Sequence, residues 1–198
     1  FKDEKGINLE RAPKGWSLSG MFRDMNQDGF PDLYVCNDFF YSPDFIWINN
    51  ADGTFRASSP LSIRQTSMSS MAVDFADIDR DGFDDIFIAD MMSRSHERRH
   101  RQRGSLIHTK MKLPIETPSY RPEYPRNTMF LNRGDGTYSE IAQFSGIEAS
   151  EWTWAIAFID VDLDGYEDLI ITAGHYKDTQ DLDVNALIQT RQKPRDRS

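Results

Sequence analysis

Three nine-residue stretches share one pattern. Residues 24–32 read DMNQDGFPD, residues 77–85 read DIDRDGFDD and residues 160–168 read DVDLDGYED, all of the form D-x-[DN]-x-D-G-[FY]-x-D. Like charges packed this closely repel one another and belong in solvent. Yet each stretch lies between two apolar runs: SLSGMFR, SMAVDFA and TWAIAFI before it, LYVCND, IFIADM and LIITAG after it. These runs are short and rich in β-branched and aromatic residues, the composition of strands. Each acidic stretch is therefore predicted to be a loop that joins two strands.

A second element repeats. FIWINNADGTF (45–55) matches TMFLNRGDGTY (128–138), and the shared Asp-Gly predicts a tight hairpin turn between two further strands. One unit is then strand, acidic loop, strand, connection, strand, Asp-Gly turn, strand. The units are expected at 16–63, at 67–147 and, in part, at 152–198. Residues 1–15, where FKDEKGI is similar to the end of the second unit, are expected to close a preceding one. The interval from Asp77 to Asp160 exceeds that from Asp24 to Asp77 by most of segment 93–126, which is read as an insertion between the second and third strands of the second unit. Four-stranded units about 50 residues long are the signature of β-propeller blades. The predicted class is all-β, with four-stranded antiparallel blades in one propeller domain. An open β-sandwich with repeated turns is the competing architecture.

The loop pattern points to a hard cation. Calcium takes six to eight oxygen ligands, and a loop with oxygen donors at alternate positions wraps around it. The candidate ligands are Asp24, Asn26, Asp28, the carbonyl of Phe30 and Asp32 in the first loop. In the second they are Asp77, Asp79, Asp81, the carbonyl of Phe83 and Asp85, and in the third Asp160, Asp162, Asp164, the carbonyl of Tyr166 and Asp168. That makes three expected Ca2+ sites. Gly29, Gly82 and Gly165 stand where the loop must turn sharply. Met25, Ile78 and Val161 are placed to turn inward and pin the loop. An EF-hand needs flanking helices and a Glu at position twelve. Val35, Ile88 and Ile171 stand there instead, and the closing carboxylate is at position nine. Magnesium fits less well, because it prefers fewer protein ligands. Loop one, with Asn26, is expected to bind more weakly.

The net charge of −9 repels phosphate backbones, which argues against a nucleic-acid partner. A single cysteine, Cys36, rules out a disulfide framework and is read as a small buried hydrophobe. No apolar run approaches the ~18 residues that span a bilayer. The chain starts at Phe1 without a leader pattern, which reads as an internal piece of a longer protein.

The loop motif, the Asp-Gly-Thr-aromatic turn and the unit length together resemble the FG-GAP/VCBS repeat family, including the calcium-loop blades of the integrin α-subunit propeller. The run NTMFLNRGDGTYSEIAQFSGI followed by EWTWAIAFIDVDLDGYEDLIITAGH is similar to the cartilage-acidic-protein, ASPIC/UnbV-type branch. The resemblance covers most of the chain and weakens at 93–126 and after about 176. It implies a propeller of roughly seven blades, extracellular or in the cell envelope or periplasm, with structural calcium in the blade loops. This chain would be a fragment of that ring. The implied role is an interaction scaffold for a protein or glycan. The alternative is the propeller portion of a secreted polysaccharide lyase or hydrolase.

Segment 93–126 carries nine Lys/Arg against three Glu. Such a patch suits an anionic partner, an intramolecular dock onto the acidic face, or plain solvation. His96 and His100 have helical zinc-pair spacing, and His108 lies nearby, but no H-E-x-x-H pattern or third ligand accompanies them. His175 is expected at the surface. Trp16, Trp152 and Trp154 can be read as a sugar platform, though their place at blade starts favours core packing. No Ser-His-Asp or Cys-His arrangement appears, so no catalytic residue is assigned and the chain is not read as an enzyme.

Overall fold

The computed structural model describes residues 15–38, 42–107, 121–175 and 181–192. Along the chain run β1 (Trp16–Arg23), β2 (Asp32–Asp38), β3 (Phe45–Asn49), β4 (Phe55–Ala57), β5 (Thr66–Ser67), β6 (Ala72–Ala76) and β7 (Asp85–Ala89). Helix α1 (His96–Ile107) follows, then β8 (Glu123–Tyr124), β9 (Thr128–Asn132), β10 (Tyr138–Glu140), β11 (Thr153–Ile159), β12 (Asp168–Ala173) and helix α2 (Leu182–Gln192). Two antiparallel four-stranded sheets result, β1-β2-β3-β4 and β6-β7-β9-β10, beside the antiparallel pair β11-β12. The protein is all-β in its framework and consistent with a propeller fragment. A short parallel pair, β5 with β8, was not anticipated from the sequence.

The middle sheet is the centre of the packing. Every residue of β7 is buried, because side chains alternate between two covered faces. Ile86 and Ile88 turn toward the first sheet and join Tyr34, Cys36, Ile46, Val73, Phe75 and Phe130 in one core. Phe87 and Ala89 turn the other way and meet Met129 and Ala142, with Ile156, Phe158, Leu169 and Ile171 of the third sheet packed on them. Each sheet thus covers one face of its neighbour, and Cys36 is buried as expected of a small hydrophobe.

Several expectations change. Two of the three tryptophans at blade starts are not core residues: Trp16 is 72% exposed and Trp154 50%, while Trp152 is half-buried. Their faces belong to the two outermost sheets, and no sheet among the described residues covers the outer side of either. The Asp-Gly turns are also longer than a tight hairpin. β3 and β4 are joined through 50–54, with Ala51 and Gly53 both left-handed, and Asn50 N–H closes the loop on the Thr54 carbonyl at 3.0 Å. Asp52 caps it by accepting from the Thr54 amide and hydroxyl.

The insertion after β7 is partly helical. The residues FKDEKGI, together with His108, Lys110 and Lys112, lie outside the described residues. Three arginines of α1 are paired within the chain. Arg98 meets Glu151 at 3.2 Å, Arg99 meets Glu148 at 3.0 Å, and Arg101 meets Glu97 at 2.6 Å and Asp181 at 3.5 Å.

Candidate metal centre

Each acidic loop starts on the residue after a strand, and its first Asp folds the loop around its own carboxylate. Asp24 accepts from the amides of Asp28 and Gly29 at 3.1 and 2.8 Å. Asp77 does the same with Asp81 and Gly82 at 3.0 and 2.9 Å, and Asp160 with Asp164 and Gly165 at 3.1 and 2.8 Å. Position three (Asn26, Asp79, Asp162) accepts from the position-five amide. Position five (Asp28, Asp81, Asp164) accepts from the amide of position seven. These are Asx turns, a local use of Asp and Asn side chains that competes with regular structure. The same network appears three times.

The convergent carboxylates come from positions one, three and nine. Oxygens of Asp77, Asp79 and Asp85 lie within 4.8 Å of one another, as do those of Asp160, Asp162 and Asp168. Asp81 and Asp164, expected as ligands, stand outside these groups, and each is engaged with the amide of Phe83 or Tyr166. In loop one Asn26 replaces the third carboxylate, and its amide donates to Asp28 at 2.9 Å. Phe30 and Tyr166 have exposed rings, while the Phe83 ring lies so close to Gly134 that a Cβ there would come within 2.9 Å of it.

Position nine ties the loop to the sheet. Asp32 and Asp85 are wholly buried. One oxygen of each accepts from position two of its own loop, Met25 at 3.1 Å and Ile78 at 3.0 Å. The other accepts from the amide of Asn49 or Asn132 at the end of the third strand, both at 2.8 Å. The same asparagines donate their side-chain amides to the carbonyls of Pro31 and Asp84. Sequence reasoning missed these two residues. The signal was present, because an Asn follows the apolar run in both copies of the repeat.

Met25 is buried in the core and Ile78 packs against the second cluster. Val161 does not turn inward; it is exposed, because no third strand folds over that loop among the described residues. Among the described residues, Asp168 keeps its bond from Val161, at 3.0 Å, and no counterpart of the Asn49 or Asn132 bond.

Burial pushes Asp85 up to about 6, with the charges of Asp79 and Asp81 adding to the effect. Asp32 is raised by burial too, with Asp28 and Asp24 adding to it. No ion pair neutralises Asp77, Asp79, Asp85, Asp160, Asp162 or Asp168 among the described residues. The nearby Arg23 holds Asp84, at position eight, through two bonds of 2.5 and 2.6 Å. A donor set of oxygens alone suits a hard cation and not zinc, which prefers nitrogen and sulfur.

Neighbouring loops touch through position four. Gln27 donates to the carbonyl of Gly82, and Arg80 lies over the Tyr166 ring at 3.7 Å. Gln27, Arg80 and Leu163 all adopt left-handed backbone with φ near +60°, a conformation that costs L-residues roughly 1–2 kcal/mol. Leu163 is 86% exposed. Leu163→Gly is therefore expected to stabilise the fold by about 0.5–1 kcal/mol, read as a higher urea midpoint at unchanged slope. An unchanged or lower midpoint would show that position four carries no strain.

Elsewhere, His96 and His100 bring their Nε2 atoms to 3.0 Å, but no third ligand joins them among the described residues. His175 stacks on Trp152 at 4.1 Å beside a cleft of about 340 Å3 that Arg98, Gln102 and Glu151 also line.

Two blade-like sheets, each carrying an acidic loop between its first and second strands, define a class of repeat scaffold. The FG-GAP-like repeat matches residues 24–88 and 120–171, more than half of the chain. The chain belongs to the FG-GAP-like repeat family. Repeats of this family build β-propeller-type interaction scaffolds that are typically non-catalytic and typically extracellular or in the envelope. No curated protein matches the sequence. No helix among the described residues is long and apolar enough to cross a membrane.

Proposed function

We propose that this chain is a calcium-binding segment of an extracellular or envelope β-propeller of the ASPIC/UnbV-type branch, which presents its loops to a protein or glycan partner. The observation that supports it most is the convergence of Asp77 with Asp79 and Asp85, and of Asp160 with Asp162 and Asp168, without a neutralising side chain among the described residues. Carboxylates held this close by backbone hydrogen bonds repel one another, and a divalent cation supplies the missing positive charge. Asp81, Asp164 and the carbonyls of Phe30, Phe83 and Tyr166 complete the proposed ligand sets. In loop one these are Asp24, Asn26, Asp28 and Asp32, with lower charge and hence weaker binding.

Binding would stiffen each loop where it joins two buried strands, so that the scaffold keeps a fixed shape. Calorimetric titration with Ca2+ is expected to show two tighter sites and one weaker site. Asp79→Ala and Asp162→Ala should each remove one tight site, and Mg2+ should bind more weakly. Heats indistinguishable from dilution, or a stoichiometry untouched by both substitutions, would overturn the reading.

A further inference from the structure

We propose that the cleft between the segment leading into β5 and the β9–β10 hairpin binds the carboxylate or sulfate ester of an acidic sugar. This rests on the scaffold reading above only in taking a glycan as the partner, and the cleft is separate from the acidic loops. It measures about 280 Å3, near the lower end of small-ligand sites. Arg64 and Gln65 line it from the segment, and Arg133, Thr137, Ser139 and Glu140 from the hairpin. The two sides are fixed to each other. The Tyr138 amide donates to the Ser62 carbonyl at 3.0 Å, Gln65 donates to Glu140 at 2.8 Å, and Ile63 and Phe130 are buried in the first core. Every lining residue named is described, and the hairpin belongs to a complete four-stranded sheet.

The cleft is positive in a chain whose net charge is −9. Glu140 is neutralised: it meets Arg126 at 2.8 Å and also accepts from Gln65 and the Ala142 amide, both at 2.8 Å. Arg64 and Arg133 are exposed, and neither has a carboxylate at ion-pair distance among the described residues. Arg133 spends its Nε on the Ser139 hydroxyl at 2.7 Å, which leaves both terminal nitrogens as donors. Asp135, on the same turn, feels the Arg133 charge. Arg64 and Arg133 against Asp135 leave one net positive charge, which matches a monoanion better than a phosphate monoester. A guanidinium fork takes two oxygens of such a group at once. The remaining groups suit sugar hydroxyls, which both donate and accept. Ser139 keeps its own O–H to donate, and Thr137, which donates to Asp135 at 2.6 Å, keeps a lone pair to accept. The side-chain oxygen of Gln65 is a further acceptor, since its bond to Glu140 uses the nitrogen.

The test titrates the chain with three 1,4-linked trimers: galacturonate, galactose sulfated on each ring, and neutral galactose. Chelator is present, so neither the acidic loops nor bridging calcium contributes. Saturable one-to-one binding of a charged trimer is expected, with the neutral trimer weaker by about 10-fold or more. The tighter of the two charged trimers identifies the oxyanion. Arg64→Gln and Arg133→Gln should each weaken that binding about 10-fold. Arg56→Gln, at an exposed arginine outside the lining, should leave it unchanged. Failure of both charged trimers to saturate would overturn the proposal. So would equal binding of the neutral trimer, or binding that ignores both substitutions in the cleft. A triglutamate peptide that binds as tightly would overturn the sugar as the ligand. Calcium titration reads the acidic loops separately, so failure here and failure of the scaffold reading are distinguishable.

Discussion

Asp85→Ala is expected to destabilise the protein by about 3–5 kcal/mol, while the same substitution at Asp168 is expected to cost under about 0.5 kcal/mol. The two residues hold the same place in the repeat, and the difference is burial. Asp85 is wholly buried and accepts from Ile78 at 3.0 Å and Asn132 at 2.8 Å. Alanine leaves both amides without partners in a site closed to water, and each such loss costs about 1–3 kcal/mol. Asp168 is exposed and holds one amide that water can reach. Asp85→Asn should fall between, because its amide oxygen keeps one acceptor while its NH2 faces the other donor. Urea unfolding of the three variants in chelator measures this ordering. Equal costs at Asp85 and Asp168 would contradict the role assigned to position nine.

In metal-free buffer, stability should fall as pH rises from 4 to 7. Burial pushes Asp44 up to about 7 and Asp90 up to about 6. The folded state thus keeps protons that the unfolded chain has lost, so this stabilisation is complete below about pH 4 and disappears through about 6 to 7. Each unit is worth about 1.4 kcal/mol, so Asp44 alone withdraws on the order of 3–4 kcal/mol. Asp44 faces the Tyr34 hydroxyl at 2.8 Å, the Ser70 hydroxyl at 2.7 Å and the Asn37 amide at 2.8 Å, with Arg121 the nearby cation and Cys36 close by. Asp90 accepts from Ser67 and from the amides of Met68, Ser69 and Met91. Asp52, Asp135 and Asp181 are held low by bonds from Thr54, Thr137 and Val184. They act in the opposite sense, below about pH 4.

The middle sheet shows what an amide does in the place of Asp44. There Asn127 accepts from the Asp90 amide at 2.7 Å, as Asp44 accepts from Asn37. Asp44→Asn is therefore expected to keep the fold, flatten the pH dependence and raise stability above pH 7. A slope unchanged in this variant would mean that Asp44 is not its source.

The acidic loops and their flanking strands were legible because both signals are local. Asx turns need side chains two residues from their partners, and strand composition is a property of five or six neighbours. What stayed hidden depends on residues far apart in sequence. Asn49 and Asn132 matter only because the third strand lies against position nine of the loop. Helix α1 has no apolar stripe to announce it, and its Arg98 and Arg99 are held by Glu151 and Glu148 from beyond β10. Trp16 and Trp154 were expected inside because blade starts face a neighbour, and the neighbour on that side is not among the described sheets. The left-handed residues Gln27, Arg80 and Leu163 carry no glycine to mark them.

The central claim, that the repeated acidic loops are cation sites that hold the blades together, is tested most directly by the melting temperature in chelator and in Ca2+. At calcium about 100-fold above the dissociation constant, each site adds about 2.7 kcal/mol. Two sites then raise the melting temperature by roughly 10–20 °C for a chain of this size. Such a rise is expected in the native protein, and its loss when Asp79→Ala and Asp162→Ala are combined. Superimposable melting curves with and without calcium would contradict it.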